Sequence, residues 1–125
     1  MQETSKPFVE PHVGSAPDDL VIEDLVVGDG DEAKSGTKAT VHYVGVAHST
    51  GEQFDASWDR GEAFTFAVGA GQVIAGWDNG VAGMRVGGRR RLVIPPHLGY
   101  GERGAGGAIA PGETLLFVVD LLAVA

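Results

Sequence analysis

The chain has 125 residues, 43% of them hydrophobic, no cysteine and a formal net charge of -8. That length holds one domain with a tail, and folding buries roughly two-thirds of the surface of the extended chain. Disulfide and thiolate chemistry are excluded, no run of about 18 apolar residues offers a membrane-spanning helix, and no dominant basic face offers nucleic acid a footprint.

The acidity lies at one end. Residues 1–32 hold nine acids and one lysine, whereas residues 33–125 hold eight acids and eight bases. Solvation accounts for such an imbalance, and a docking tail for a basic partner is the alternative. Residues 1–17 carry Pro7, Pro11 and Pro17 with little apolar periodicity. They predict a flexible or loosely docked extension over 1–18, ahead of a domain over 19–125. No basic start followed by an apolar stretch marks a signal peptide, so the expected location is cytoplasmic.

Residues 20–27 are β-rich, and Gly28-Asp29-Gly30-Asp31 supplies a turn. Residues 37–47 alternate as a strand, with Val41, Tyr43 and Gly45 on one face and Thr40, His42, Val44 and Val46 on the other. Ser49-Thr50-Gly51 turns the chain. Residues 51–57 and 63–68 predict two further strands, with Phe64 and Phe66 sharing a face. In residues 74–82, Ile74, Trp77 and Val81 fall at i, i+3 and i+7 and predict a short helix, which Gly83 is placed to end. Gly76 and Gly80 each cost that helix roughly 1 kcal/mol against alanine, so packing must hold it. Residues 85–94 predict a strand stopped by Pro95-Pro96, and residues 115–124 predict the last strand. Between these two lies a loop over 95–113 whose six glycines keep it permissive and whose apolar contents are Tyr100, Ile109 and Pro111. Irregular loops of this length are often functional. Five or six strands with one short helix make an α+β domain.

Much chemistry is missing. His12, His42, His48 and His97 are scattered, so a metal site is not expected. The acidic stretch at Gly28 to Glu32 lacks the calcium-loop spacing, and the glycine-rich stretch at Gly69 to Gly76 lacks the Gly-Lys-Ser/Thr of a phosphate loop. No serine sits in Gly-x-Ser-x-Gly. Asp55 and Asp59 have no partner acid, metal or nucleophile to make them a hydrolytic pair. Arg89-Arg90-Arg91 reads as a solvated sheet surface, its members alternating between faces. No cofactor is expected.

What remains is FDASWDRGEAFTF, residues 54–66, in which three phenylalanines and a tryptophan surround two aspartates and an arginine. An ordered series of stretches surrounds it: Val41-His42-Tyr43-Val44-Gly45, Phe54-Asp55-Ala56-Ser57 with Asp59-Arg60, Phe64-Thr65-Phe66, and Val73-Ile74-Ala75-Gly76-Trp77 with Gly80-Val81. It continues through Met84-Arg85-Val86-Gly87-Gly88, Ile94-Pro95-Pro96 and Gly99-Tyr100-Gly101 to Leu115-Leu116-Phe117. Over residues 19–125 this series resembles the FKBP-type peptidyl-prolyl cis-trans isomerases, the immunophilins that bind tacrolimus and rapamycin.

The resemblance implies a curved antiparallel sheet wrapped around one short helix, with a pocket between the concave face and the helix. It implies a catalytic set of Tyr43, Asp55, Tyr100 and Phe117. It also implies a substrate- or drug-binding set of Phe54, Arg60, Phe64, Val73, Ile74, Trp77 and Ile109. Trp77 would be the floor under a proline ring. Asp55 would sit at the rim, held by Arg60 and Tyr43, and the Ile74 N–H and Tyr100 hydroxyl would bond substrate carbonyls. A weak surface salt bridge is the alternative for Asp55 and Arg60, although the flanking aromatics favour a partly buried pair. Phe66 and Val41 read as plain core.

Ala105 stands where the best-known members have histidine and Ala108 where they have isoleucine, and the hairpin over 46–52 is one residue longer than in the smallest members. The implied partners are proline-containing peptides and proteins and macrolides such as tacrolimus and rapamycin, acting on a monomer. A non-catalytic peptide-binding module is the alternative from another class. A general folding helper would need an inserted chaperone domain, which the chain lacks.

Overall fold

A computed structural model describes residues 5–105 and 108–125. Six strands form one antiparallel sheet: β1 (Val21–Val26), β2 (Lys38–Ala47), β3 (Gln53–Ala56), β4 (Phe64–Ala67), β5 (Arg89–Ile94) and β6 (Leu115–Val124). Helices α1 (Ser57–Arg60) and α2 (Ala75–Gly80) and a 3-10 turn at Pro96–Leu98 complete the regular structure. The sheet runs β1-β5-β6-β2-β3, and β4 also pairs with β2. One edge of β2 therefore takes two strands in succession. Its residues 38–41 pair with β4, its residues 44–46 with β3, and its other edge pairs with β6 along nearly its whole length.

The alternation in β2 divides the interior. Val41 and Tyr43 face a cluster on the concave side, with Leu92, Ile94 and Val119 from the neighbouring strands and Trp77 and Val81 from the α2 region. Val44 and Val46 face a second cluster on the convex side with Val93, Leu116 and Val118. Helix α2 can lie this close to β5 because two of its residues lack side chains. A Cβ at Gly76 would stand 2.5 Å from Cγ2 of Ile94, and one at Gly80 would stand 2.7 Å from Cδ2 of Leu92. Full burial of a large apolar side chain is worth roughly 1.5–3 kcal/mol. The burial of Trp77 and Val81 thus outweighs the helix-propensity cost of the glycines. The helix ends at Gly80, two residues before the expected end, and the left-handed turn at Gly83 (φ 92°) follows it.

Three expectations need correction. The strand predicted from residue 85 begins at Arg89, because residues 85–88 form a turn closed by the Gly88 N–H on the Arg85 carbonyl. The strand predicted through residue 57 ends at Ala56 and gives way to α1. Nor do Arg89 and Arg90 form a solvated surface, since both side chains are only 11% exposed. Arg89 donates to both carboxylate oxygens of the buried Asp120, directly opposite it in the β5–β6 register, at 2.7 and 3.1 Å. On the other face Arg90 donates to Asp24 and to the carbonyls of Gly80 and Ala82 at 2.9 and 3.1 Å, capping the end of α2. Forked guanidinium bonds of this kind compensate a charge removed from water.

Residues 5–17 form no helix or strand. Val9 is buried in the convex cluster, Lys6 Nζ lies 2.8 Å from Asp59 Oδ1, and the Ser5 carbonyl accepts from Arg89. Among the described residues, no helix is long and apolar enough to cross a membrane.

Candidate active site

The site grows from two neighbouring positions on the concave face of β2. Tyr43 projects its ring there, and Gly45 leaves room beside it. A Cβ at Gly45 would fall 2.6 Å from the Phe117 ring and 2.7 Å from the Phe54 ring. Without one, those two rings meet edge to face with centroids 5.5 Å apart. Trp77 lies beneath them, 4% exposed and edge-on to Tyr43 at 4.9 Å, Phe117 at 5.3 Å and Phe64 at 6.0 Å. Edge-to-face packing suits the opposed charge of ring faces and edges. Phe66 packs behind Trp77 as core, and Val41 is fully buried.

Helix α1 sets the polar rim. It is a single turn, ended by Gly61 at φ 67°, and it brings Arg60 back over β3. The buried Ser57 hydroxyl anchors its start by accepting the Tyr43 N–H at 2.7 Å, with His42 Nδ1 at 2.8 Å from the same oxygen. The Tyr43 hydroxyl then donates to Asp55 Oδ2 at 2.5 Å. Arg60 donates from Nη1 to Asp55 Oδ1 and from Nη2 to the Tyr43 hydroxyl oxygen, the latter at 2.8 Å. Both Asp55 oxygens are thereby engaged, which holds the carboxylate as a fixed group at the rim.

The open cavity between these elements has a volume of about 470 Å³. Nine of the eleven residues expected at the site line it: Tyr43, Phe54, Asp55, Phe64 and Phe117 from the sheet, and Val73, Ile74, Trp77 and Tyr100 from α2 and the loops. Arg60 stands outside and acts on the rim through Asp55 and Tyr43. Ile109 does not line this cavity. Reciprocal backbone bonds between Ala105 and Ile109, at 2.9 and 3.1 Å, fold the loop back and bury Ile109 in the core. The Gly106-Gly107 part of that loop lies outside the described residues.

Gly71 and Gln72 also line the cavity, which the sequence reading missed. Their loop is tied down by side chains. Asp78 of α2 accepts the Gly69 N–H at 2.9 Å on one oxygen and the Gly71 N–H at 3.0 Å on the other, while Gln72 Oε1 accepts the Ala67 N–H at 2.9 Å. The signal was there in the glycines of residues 69–76, with Asp78 one turn into the helix. At the end of this loop is Ile74, whose N–H bonds to no acceptor among the described residues. The Tyr100 hydroxyl likewise has no partner among them, and its side chain is partly open to solvent at 39%.

Burial raises the pKa of Tyr43 above the ordinary tyrosine value, reinforced by Asp55 and opposed by Arg60. Burial, then the charge of Asp55, raises that of Tyr100. The Tyr43 hydroxyl and Asp55 push Arg60 up. At neutral pH both hydroxyls are therefore protonated donors and Arg60 is a cation. Among the described residues, no three His, Asp or Glu side chains are grouped so as to hold a metal ion. The arrangement is an open, mostly apolar aromatic well with two donors at its mouth. It can grip an apolar ring and fix polar groups flanking it.

Residues 30–122 match the family model described as FKBP-type peptidyl-prolyl cis-trans isomerase. An FK506-binding protein of Streptomyces anulatus is 63% identical over 120 residues, covering 95% of this chain and 97% of the relative. A probable FK506-binding protein of Corynebacterium glutamicum is 52% identical over 117 residues, covering 94% and 97%. The crystal structure of AtFKBP13 superposes with a TM-score of 0.79 at 41% identity, covering 88% of this chain and 96% of that one. Fold and sequence agree with the aromatic well: the chain belongs to the FKBP-type peptidyl-prolyl cis-trans isomerases.

Proposed function

We propose that this isomerase seats the proline ring of a peptide or protein on Trp77, between Tyr43, Phe54 and Phe117, and twists the X-Pro bond there. An unaided X-Pro bond takes tens to hundreds of seconds to isomerise. The barrier of roughly 18–20 kcal/mol is lost amide resonance. No bond breaks, so the reaction asks for no nucleophile. The planar amide is the more polar and better hydrated state, whereas the twisted amide separates less charge. An aromatic cavity that sheds water as the proline ring seats therefore favours the twisted state over the planar one. The Ile74 N–H and Tyr100 hydroxyl hold flanking carbonyls in that geometry. Asp55, fixed by Arg60 and Tyr43, orients the chain at the rim and transfers no proton.

The observation that carries this reading is the pair of donors, without partners among the described residues, at the mouth of an aromatic well of about 470 Å³. The same well is suited to macrolides of the tacrolimus and rapamycin class, for which the relatives are named. A role in assisting the folding of proline-containing proteins follows from the reaction. The test is the relaxation of a Leu-Pro or Phe-Pro peptide toward its cis/trans equilibrium, with and without the protein and again with rapamycin. Acceleration abolished by the drug is expected. Binding without acceleration would replace catalysis at this well by peptide capture alone.

A further inference from the structure

Behind the Phe54 ring a second groove of about 520 Å³ opens. Phe54 is common to both hollows, so one aromatic side chain is the partition between them. The groove runs between the hairpin after β2 and the loop before β6. Ala47, Ala108, Ile109, Ala110 and Pro111 give its lining a short apolar part, beside the polar Ser49, Thr50 and Gln53. Glu52 stands on the hairpin side and Glu113 on the loop side. No lysine, arginine or histidine is among the described residues that line it.

Its geometry is fixed in advance. Glu113 accepts the Ser49 N–H at 3.1 Å and the Ser49 hydroxyl at 2.5 Å, which ties hairpin to loop. The His48 N–H bonds the Thr114 carbonyl at 2.9 Å, and the Ala47 N–H bonds the Glu52 carbonyl at 3.0 Å. Both donors from Ser49 are neutral, so neither supplies a countercharge to Glu113. A trough with a short apolar part and two carboxylates at its sides complements a side chain with an aliphatic stem and a cationic head.

We infer that this groove is a specificity subsite for a lysine or arginine of the substrate, close in sequence to the proline, with Glu52 and Glu113 as its selecting residues. The inference rests on the isomerase reading of the neighbouring well. Phe54 lines both hollows, so the basic residue stands within a few positions of the proline along an extended chain that covers roughly 3.3 Å per residue. The carboxylates face solvent, which limits the preference to about two- to fivefold at low salt.

The test is a set of proline peptides carrying lysine, norleucine or glutamate at each position within three residues of the proline. The readout is the ratio of kcat/KM for lysine to that for norleucine, which shares the stem and lacks the charge. At one position the ratio should reach two- to fivefold, and glutamate should fall below norleucine. The preference should vanish in ~0.5 M salt, where surface charges are screened, and in the Glu52→Gln, Glu113→Gln double variant. Glu52→Gln alone, at an exposed side chain, should reduce the ratio without touching the Ser49 tie. A ratio near one at every position overturns the subsite, as does a preference that survives both replacements. If no peptide is accelerated, norleucine included, the isomerase reading of the well fails first and the subsite with it.

Discussion

Asp78 touches no part of the cavity, yet its carboxylate accepts two backbone N–H groups of the loop that carries Gly71, Gln72, Val73 and Ile74. In Asp78→Asn the amide oxygen can keep one of these bonds, but the amide nitrogen is a donor facing the other N–H. The loss is one charge-assisted bond plus a donor–donor conflict. It comes to about 1–2 kcal/mol at a site partly open to water. The rest of the loop is held by Gln72 on Ala67, by the start of α2 and by Val73 and Ile74 packed against the core, so this loss falls first on opening at Gly69 and Gly71 and spares the global fold. An energy of 1–2 kcal/mol corresponds to amide exchange at Gly69 and Gly71 that is about 5- to 30-fold faster. kcat/KM should fall with it by up to the same factor, since Ile74 then presents its N–H from a looser backbone. Hydrogen exchange by NMR together with the peptide relaxation assay reads both. Unchanged exchange at Gly69 and Gly71 with unchanged activity would refute the reasoning. A melting temperature lowered in step with exchange everywhere would show that Asp78 serves the fold and not the loop.

Replacing Asp55 by valine removes the acceptor for Tyr43 and Arg60 at the rim, and should lower kcat/KM about tenfold, the scale of one orienting hydrogen-bonded group. Far-UV circular dichroism and melting should stay near the parent, and global unfolding would make Asp55 structural. Gly45→Ala drives a methyl group into the Phe54 and Phe117 rings and should cost about 1–3 kcal/mol by overpacking, read as a lower melting temperature and weaker rapamycin binding. An alanine protein with parental stability and affinity would contradict the close approach. The chain has two tyrosines, both at the cavity, so absorbance near 295 nm titrates them alone. Their midpoints should lie above 10 in the native protein and return to the ordinary value in denaturant. Raised values mean that stability from the protonated hydroxyls is complete below pH 10 and is lost as pH rises through the native pKa. A native midpoint at the ordinary value would remove this link.

Where the residues repeat a period, the sequence was easy to read. Tyr43, Val41 and Gly45 alternate with Val44 and Val46, and the two clusters follow that alternation. Trp77 and Val81 at helical spacing gave α2. Elements without a period stayed hidden. Helix α1 is one turn long, too short for any hydrophobic repeat, and only Gly61 hinted at its end. The burial of Val9 depends on the convex face of a sheet whose strands come from elsewhere in the chain, and nothing beside Val9 announces it. Arg89 and Arg90 looked solvated because their partners, Asp120 and Asp24, are distant in sequence. Ile109 was placed in the well by likeness, while the backbone pairing with Ala105 that turns it inward has no side-chain signature. Gly71 and Gln72 reach the cavity through a loop shaped by Asp78 and by the Gln72 side chain, and such ties have no repeat in the sequence.

Strand β6 lies between β5 and β2 at the middle of the sheet, although it follows every other strand in the chain. Without it, β1 and β5 form one ribbon, β2, β3 and β4 form another, and among the described residues no other strand joins them. Phe117, a wall of the well, arrives with that keystone. On the ribosome the two ribbons must wait unjoined until β6 emerges, so synthesis from the N-terminal side withholds the active site until that strand is made. The pairing of Ala39 with Val124 makes this a fold of distant contacts, a class that folds slowly for its size. An enzyme that hastens a slow step in other chains is itself built to mature late.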